Sequence, residues 1–191
     1  MNGIDLTFSE EKKKLPVGAS KIFGNPDVWD GFEWPQFTEN GESYDFTFVC
    51  QVNCAETAPF DKNDILPKSG VLYFFYDMDG MPEESSGGNT VRIIYYGDEL
   101  SSLYEMLHTD HDGNDMSLPE MKIHFDSSGN IGGVLCGAPV HGQQPLLQIR
   151  SFETDNVKIN FSGGKTLCFF VPQSNLKNGD FSNIHISYIK E

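Results

Sequence analysis

A single, mostly antiparallel β domain, built from two pseudo-symmetric repeats with few short helices, is the fold this sequence predicts. Three observations predict it. An eight-residue pattern returns at a constant offset, apolar runs have the length and alternation of strands, and prolines and glycines are scattered through the chain.

The repeat is Val49-Cys50-Gln51-Val52-Asn53-Cys54-Ala55-Glu56, which returns 97 residues later as Leu146-Leu147-Gln148-Ile149-Arg150-Ser151-Phe152-Glu153. Both copies read apolar-apolar-Gln-aliphatic-x-small-x-Glu. Each is followed by a polar, glycine-bearing stretch and then an aromatic strand, Ser69 to Tyr76 in the first half and Gly163 to Val171 in the second. A third strand closes each unit, Val91 to Tyr96 and Ile184 to Ile189, the latter alternating cleanly. A period near 95 residues is too long for a solenoid. The chain therefore reads as one domain over 1–191, with halves at about 20–107 and 120–191.

Helical signals are sparse. Asn53 or Cys54 can open a helix with Glu56 in its first turn, and Pro59 limits its length. Leu100, Leu103, Tyr104 and Leu107 share one helical face and predict a helix of one or two turns. Met78 to Asn89 and Thr109 to Pro119 read as loops.

The chain carries 13 basic and 28 acidic residues, a net charge of −15. Such a charge repels phosphate backbones and anionic membranes, which excludes nucleic acid and membrane as partners, and it suits a basic protein. Met1 to Pro16 contains Glu10-Glu11-Lys12-Lys13-Lys14 where a secretory signal needs an apolar stretch, and no apolar run has the length of a membrane span. A cytoplasmic location is expected. The four cysteines (Cys50, Cys54, Cys136, Cys168) sit in or beside apolar runs and read as buried thiols.

No stretch carries a recognised catalytic or cofactor motif. Asp110, Asp112 and Asn114 stand at the first, third and fifth places of a calcium loop, but Asp115 replaces the required glycine and Met121 the bidentate glutamate. The histidines (His108, His111, His124, His141, His185) follow no catalytic spacing. Gly129 to Gly133 and Ser162 to Lys165 lack phosphate-loop spacing and read as turns. Neither a metal nor a cofactor is implied. The candidate ligand-binding residues are Trp29 and Trp34, which either line a pocket or plug the side of the sheet, and the repeated Gln51, Glu56, Gln148 and Glu153. These last four either satisfy backbone groups or form a polar site between the halves.

Several segments resemble the YwqG-like family, a domain of unknown function of the DUF1963 type. They are Lys21-Ile22-Phe23-Gly24-Asn25-Pro26, Gly31-Phe32-Glu33-Trp34-Pro35, Phe48 to Asn53, Leu66 to Asp77, Gly132-Gly133 with Pro139, Leu146 to Ile149, and Asp180-Phe181-Ser182-Asn183. The chain departs from the family pattern at Cys50 and Cys54, at Gly24-Asn25 and at Ser162-Gly163-Gly164. The resemblance implies an α+β, largely antiparallel fold with internal duplication, and no established reaction. Together these readings favour a non-enzymatic cytoplasmic binding protein that acts on another protein, in an immunity or accessory role. The alternative is a small-molecule binder or hydrolase using a cleft between the repeats.

Overall fold

The computed structural model describes residues 3–82, 84–86, 90–126, 132–140, 143–176 and 179–190. The first half contains β1 (Ile4–Ser9), β2 (Lys21–Ile22), β3 (Asp27–Val28), β4 (Gln36–Glu39), β5 (Glu42–Asp45), β6 (Thr47–Asn53), α1 (Cys54–Thr57), β7 (Val71–Tyr76), β8 (Glu84–Ser86), β9 (Val91–Tyr96) and β10 (Tyr104–Glu105). The second contains β11 (Met121–Asp126), β12 (Gly133–Leu135), β13 (Pro145–Arg150), β14 (Phe152–Glu153), β15 (Lys158–Ile159), β16 (Thr166–Phe170), α2 (Gln173–Leu176) and β17 (His185–Ile189).

Eleven strands form one antiparallel sheet in the order β8-β17-β16-β13-β12-β1-β11-β2-β6-β7-β9. This corrects the α+β expectation: the fold is β-rich, and the α-helices among the described residues are two of four residues each. Asn53 does cap α1, its side chain accepting from the Ala55 amide at 3.0 Å, but Pro59 follows within two residues of its end. The helix expected over Leu100 to Leu107 is also absent. Only Leu100–Ser102 turns, as a 3-10 helix, and Tyr104–Glu105 pairs with β3 instead. A segment of two turns gains little from helix formation alone, so ladder pairing and burial of Leu103 decide its shape. Within the stretch expected to be a loop, Glu84–Ser86 adds an edge strand to β17.

Both edge strands, β8 and β9, come from one short piece of chain, so the sheet must curl until its ends approach. Across the interior, Phe74 and Phe169 meet with ring centroids 5.5 Å apart, and the Tyr76 and Tyr188 hydroxyls lie 2.7 Å apart. The main core fills this curl with side chains from both ends of the sheet, including Leu72, Phe74, Val91, Leu147, Leu167 and Ile186. Each such buried side chain contributes about 1.5–3 kcal/mol relative to exposure. With the edge strand β8 set aside, and counting inward from the two ends of the remaining ten strands, β9, β7, β6 and β2 occupy the places of β17, β16, β13 and β12, with β11 and β1 side by side in the middle.

The first three strands in that count have a second role. All six residues of β7 are buried, because apolar side chains cover it on both faces. Leu72, Phe74 and Tyr76 point into the main core, whereas Val71, Tyr73 and Phe75 belong to a second cluster on the outer face.

Candidate functional site

That outer face is covered by residues 24–46 and 97–118. Val28, Phe32, Phe46 and Leu103 from these segments bury themselves against Phe48, Val71, Tyr73 and Phe75. Trp29 stacks on Tyr96 with centroids 4.6 Å apart, and Trp34 on His108 at 4.2 Å. The Trp34 indole donates to the Phe46 carbonyl at 2.8 Å. Both tryptophans are half-buried and plug the side of the sheet.

The two segments are also tied to each other. β3 pairs with β10, the Met106 amide donates to the Pro26 carbonyl at 2.9 Å, and the His108 amide donates to Asn25 Oδ1 at 2.8 Å. His108 Nε2 lies 3.0 Å from Asp45 Oδ2. Asp110, first residue of the rejected calcium loop, turns its carboxylate on its own loop, accepting from the Asp112 and Asn114 amides and the Asn114 side chain. Those bonds, the Asn114 side chain first, hold its pKa below the usual carboxylate range. Among the described residues no group of three or more His, Cys, Asp or Glu is placed to hold a metal ion.

Beneath this cap lies a buried polar anchor. Lys21, only 2 % exposed, reaches Asp27 Oδ1 at 3.3 Å and Glu120 Oε2 at 3.0 Å. Asp27 is equally buried, and its Oδ2 accepts from the Gly18 amide at 2.9 Å and from Gln51 Nε2 at 2.7 Å. Gln51 Oε1 accepts from the Asp27 amide at 2.8 Å, while its Nε2 also donates to the Ala19 carbonyl at 2.8 Å. The Tyr73 hydroxyl donates to the Asp27 carbonyl at 2.5 Å, and burial raises the Tyr73 pKa above the usual phenol value. Every oxygen of the Asp27 carboxylate and both ends of the Gln51 amide are therefore occupied by the protein itself. The anchor holds the cap on the sheet, its buried side chains partnered within the protein.

The other candidates from the sequence are distributed around the sheet. Glu56 is exposed and accepts from the Ser20 amide at 3.3 Å, one residue from the anchor lysine. Gln148 lies on β13, separated by four intervening strands from Gln51 on β6, and donates to Cys168 Sγ at 3.7 Å. Glu153 is exposed and pairs with Lys158 at 2.7 Å. Trp29, Gln51 and Glu56 thus surround β2 and β3, while Gln148 and Glu153 sit elsewhere. Sequence reading alone missed Lys21, Asp27, Asn25 and Glu120. The available signal was Lys21, a cation heading an apolar strand in an acidic chain.

All four cysteines are free and buried. Burial pushes the thiols of Cys54 and Cys136 up to about 12 and that of Cys168 to about 11, and raises Cys50 as well. His141 and Gly129 to Ile131 lie outside the described residues.

The cap segments differ from the rest of the chain in charge, although Asp27 is buried against Lys21 and Glu105 pairs with Lys14. Residues 24–46 and 97–118 contain twelve aspartates and glutamates and no lysine or arginine, so they hold twelve of the fifteen net negative charges. Tyr104, Leu107 and Met116, among the most exposed large apolar side chains, lie in the same segments.

A family model described as Domain of unknown function (DUF1963) matches residues 20–132. The chain belongs to this DUF1963 family. The matched stretch contains the whole anchor (Lys21, Asp27, Gln51, Tyr73 and Glu120) and both cap segments, and it ends immediately before β12. Gln148 and Glu153 fall beyond it. A search of curated proteins finds no match to the chain.

Proposed function

We propose that this DUF1963 protein is a non-enzymatic, cytoplasmic binding protein of YwqG-like type, and that its acidic cap docks a basic protein. One observation carries the reading: the charge is concentrated on a packed cap with no counter-charge of its own, instead of being spread evenly for solubility. Such a face raises the association rate of a cationic partner and disfavours anionic ones. Exposed Leu107 and Met116 add apolar contact at the same place. Four free, buried thiols suit a reducing compartment. The reading also takes the chain as one domain of two degenerate halves, supported by the matched places of Gln51 and Gln148 in the sheet.

The test compares two sets of neutralised variants as bait in the source cell extract, at low and high salt. One set changes Asp30, Glu33, Glu39 and Glu42 of the cap to amides, and the other changes Glu11, Asp64, Asp79 and Asp155 outside it. All eight are exposed. The proposal expects a basic protein retained by wild type and the outside variant at low salt, and weakened about tenfold or more by the cap variant. Equal effects of both sets, or no basic protein retained, would overturn it.

A further inference from the structure

We propose that the seam between the two ends of the sheet is a separate binding site, one that takes an extended peptide strand against β9. The seam is a cavity of about 620 Å³ lined by Val91 to Tyr95 on one side and Gly179 to Ile184 on the other. Among the described residues β9 has a ladder only with β7. The phase of that ladder is fixed: the Asp77 amide donates to the Thr90 carbonyl at 3.2 Å, and the register runs without a bulge from Tyr76↔Val91 to Val71↔Tyr96. In an antiparallel pair the bonded positions alternate, so Arg92, Ile94 and Tyr96 direct their main-chain groups to β7. Val91, Ile93 and Tyr95 direct theirs into the seam.

Among the described residues no backbone hydrogen bond crosses from β9 to 179–184. The edge is also unblunted, since β9 contains neither proline nor bulge. A row of outward N–H and C=O groups at strand spacing recognises extended main chain, the chemistry of β-strand addition.

The side chains specify more. Val91 and Ile93 face the main core, and Tyr95 meets Phe181 across the seam with centroids 5.9 Å apart. An added strand must therefore place apolar side chains inward. On the outer face stands Arg92, its guanidinium 5.8 Å from the Phe46 ring centroid and donating to the Val91 carbonyl at 3.3 Å. Among the side chains that are described, no carboxylate forms an ion pair with it. A strand beside β9 thus gains from an acidic residue opposite Arg92. The occupant is a peptide and not a second copy of this chain: copies each carrying −15 repel, and β9 itself has no carboxylate to set against Arg92.

The probe is a set of acetylated, amidated hexapeptide pools of alternating apolar and polar composition, with glutamate or lysine fixed at each polar position. Hydrogen exchange of individual amides, followed by NMR, is the readout. The proposal expects glutamate pools at about 1 mM to slow exchange at Ile93 and Tyr95 by about tenfold or more, leaving Arg92, Ile94 and Tyr96 unchanged. Arg92→Gln then weakens the glutamate pools about tenfold. Ile93→Pro abolishes binding, because it removes an outward donor and leaves the β7 ladder intact. No slowing with any pool, slowing that is independent of Arg92, or amides already protected through self-association would each overturn the proposal.

Discussion

Replacing Lys21 with methionine tests whether the buried anchor holds the cap in place. Methionine keeps the length and apolar stem of the side chain, so the change is mainly the loss of one buried charge. In the native protein Lys21 and Asp27 are each 2 % exposed, and the ammonium also meets Glu120. Without it, Asp27 keeps the Gly18 and Gln51 donors but loses its counter-charge. Breaking a buried pair by removing one partner costs about 3–5 kcal/mol. For a domain of this size that lowers Tm by about 6–20 °C, at about 2–4 °C per kcal/mol. Lys158→Met is the control: Lys158 and its partner Glu153 are 67 % and 65 % exposed, so its loss costs under about 1 kcal/mol. The assay is urea unfolding of wild type, both single variants and Lys21→Met/Asp27→Asn, the last of which regains part of the loss because no buried charge is left without its partner. A Lys21→Met variant within about 1 kcal/mol of wild type would refute the reasoning.

Two further outcomes follow from burial. With thiol pKa values raised to about 12 for Cys54 and Cys136 and about 11 for Cys168, and Cys50 raised too, the native protein at pH 8 reacts with a thiol reagent far more slowly than free cysteine, and all four react on unfolding. Burial lowers the pKa of His185, which stacks on Phe170, so the folded state binds fewer protons than the unfolded state below the ordinary histidine value of about 6.5. Stability contributed by the neutral imidazole is complete above that pH and declines as pH falls through the folded pKa. His185→Asn should flatten the stability profile in that range, and an unchanged acid slope would contradict the assignment.

Much of the sheet is legible in the sequence, because its strands are short runs with strong apolar signals. Val71 to Tyr76 reads as a strand on content alone, and its complete apolarity is explained by burial on two faces. Leu100 to Leu107 misleads because helical spacing over two turns is weak evidence beside a distant partner such as Asp27–Val28. The α+β expectation fails for a related reason: α1 and α2 are single turns that cannot form a layer. In the site, Gln51 was identifiable from the repeat, but its partner Asp27 lies 24 residues away and Glu120 nearly 100 from Lys21, separations that sequence pattern does not register. The net charge likewise conceals its distribution, which gains meaning only once 24–46 and 97–118 are seen to pack as one cap.

The central claim, that the cap is the docking face, is tested most directly by hydrogen exchange on the complex with the retained basic protein. The account predicts that amides slowed by the partner concentrate in 24–46 and 97–118, and that the same amides return to the free rate at high salt. Slowing centred on β13 to β17, with the cap exchanging as in the free protein, would contradict it.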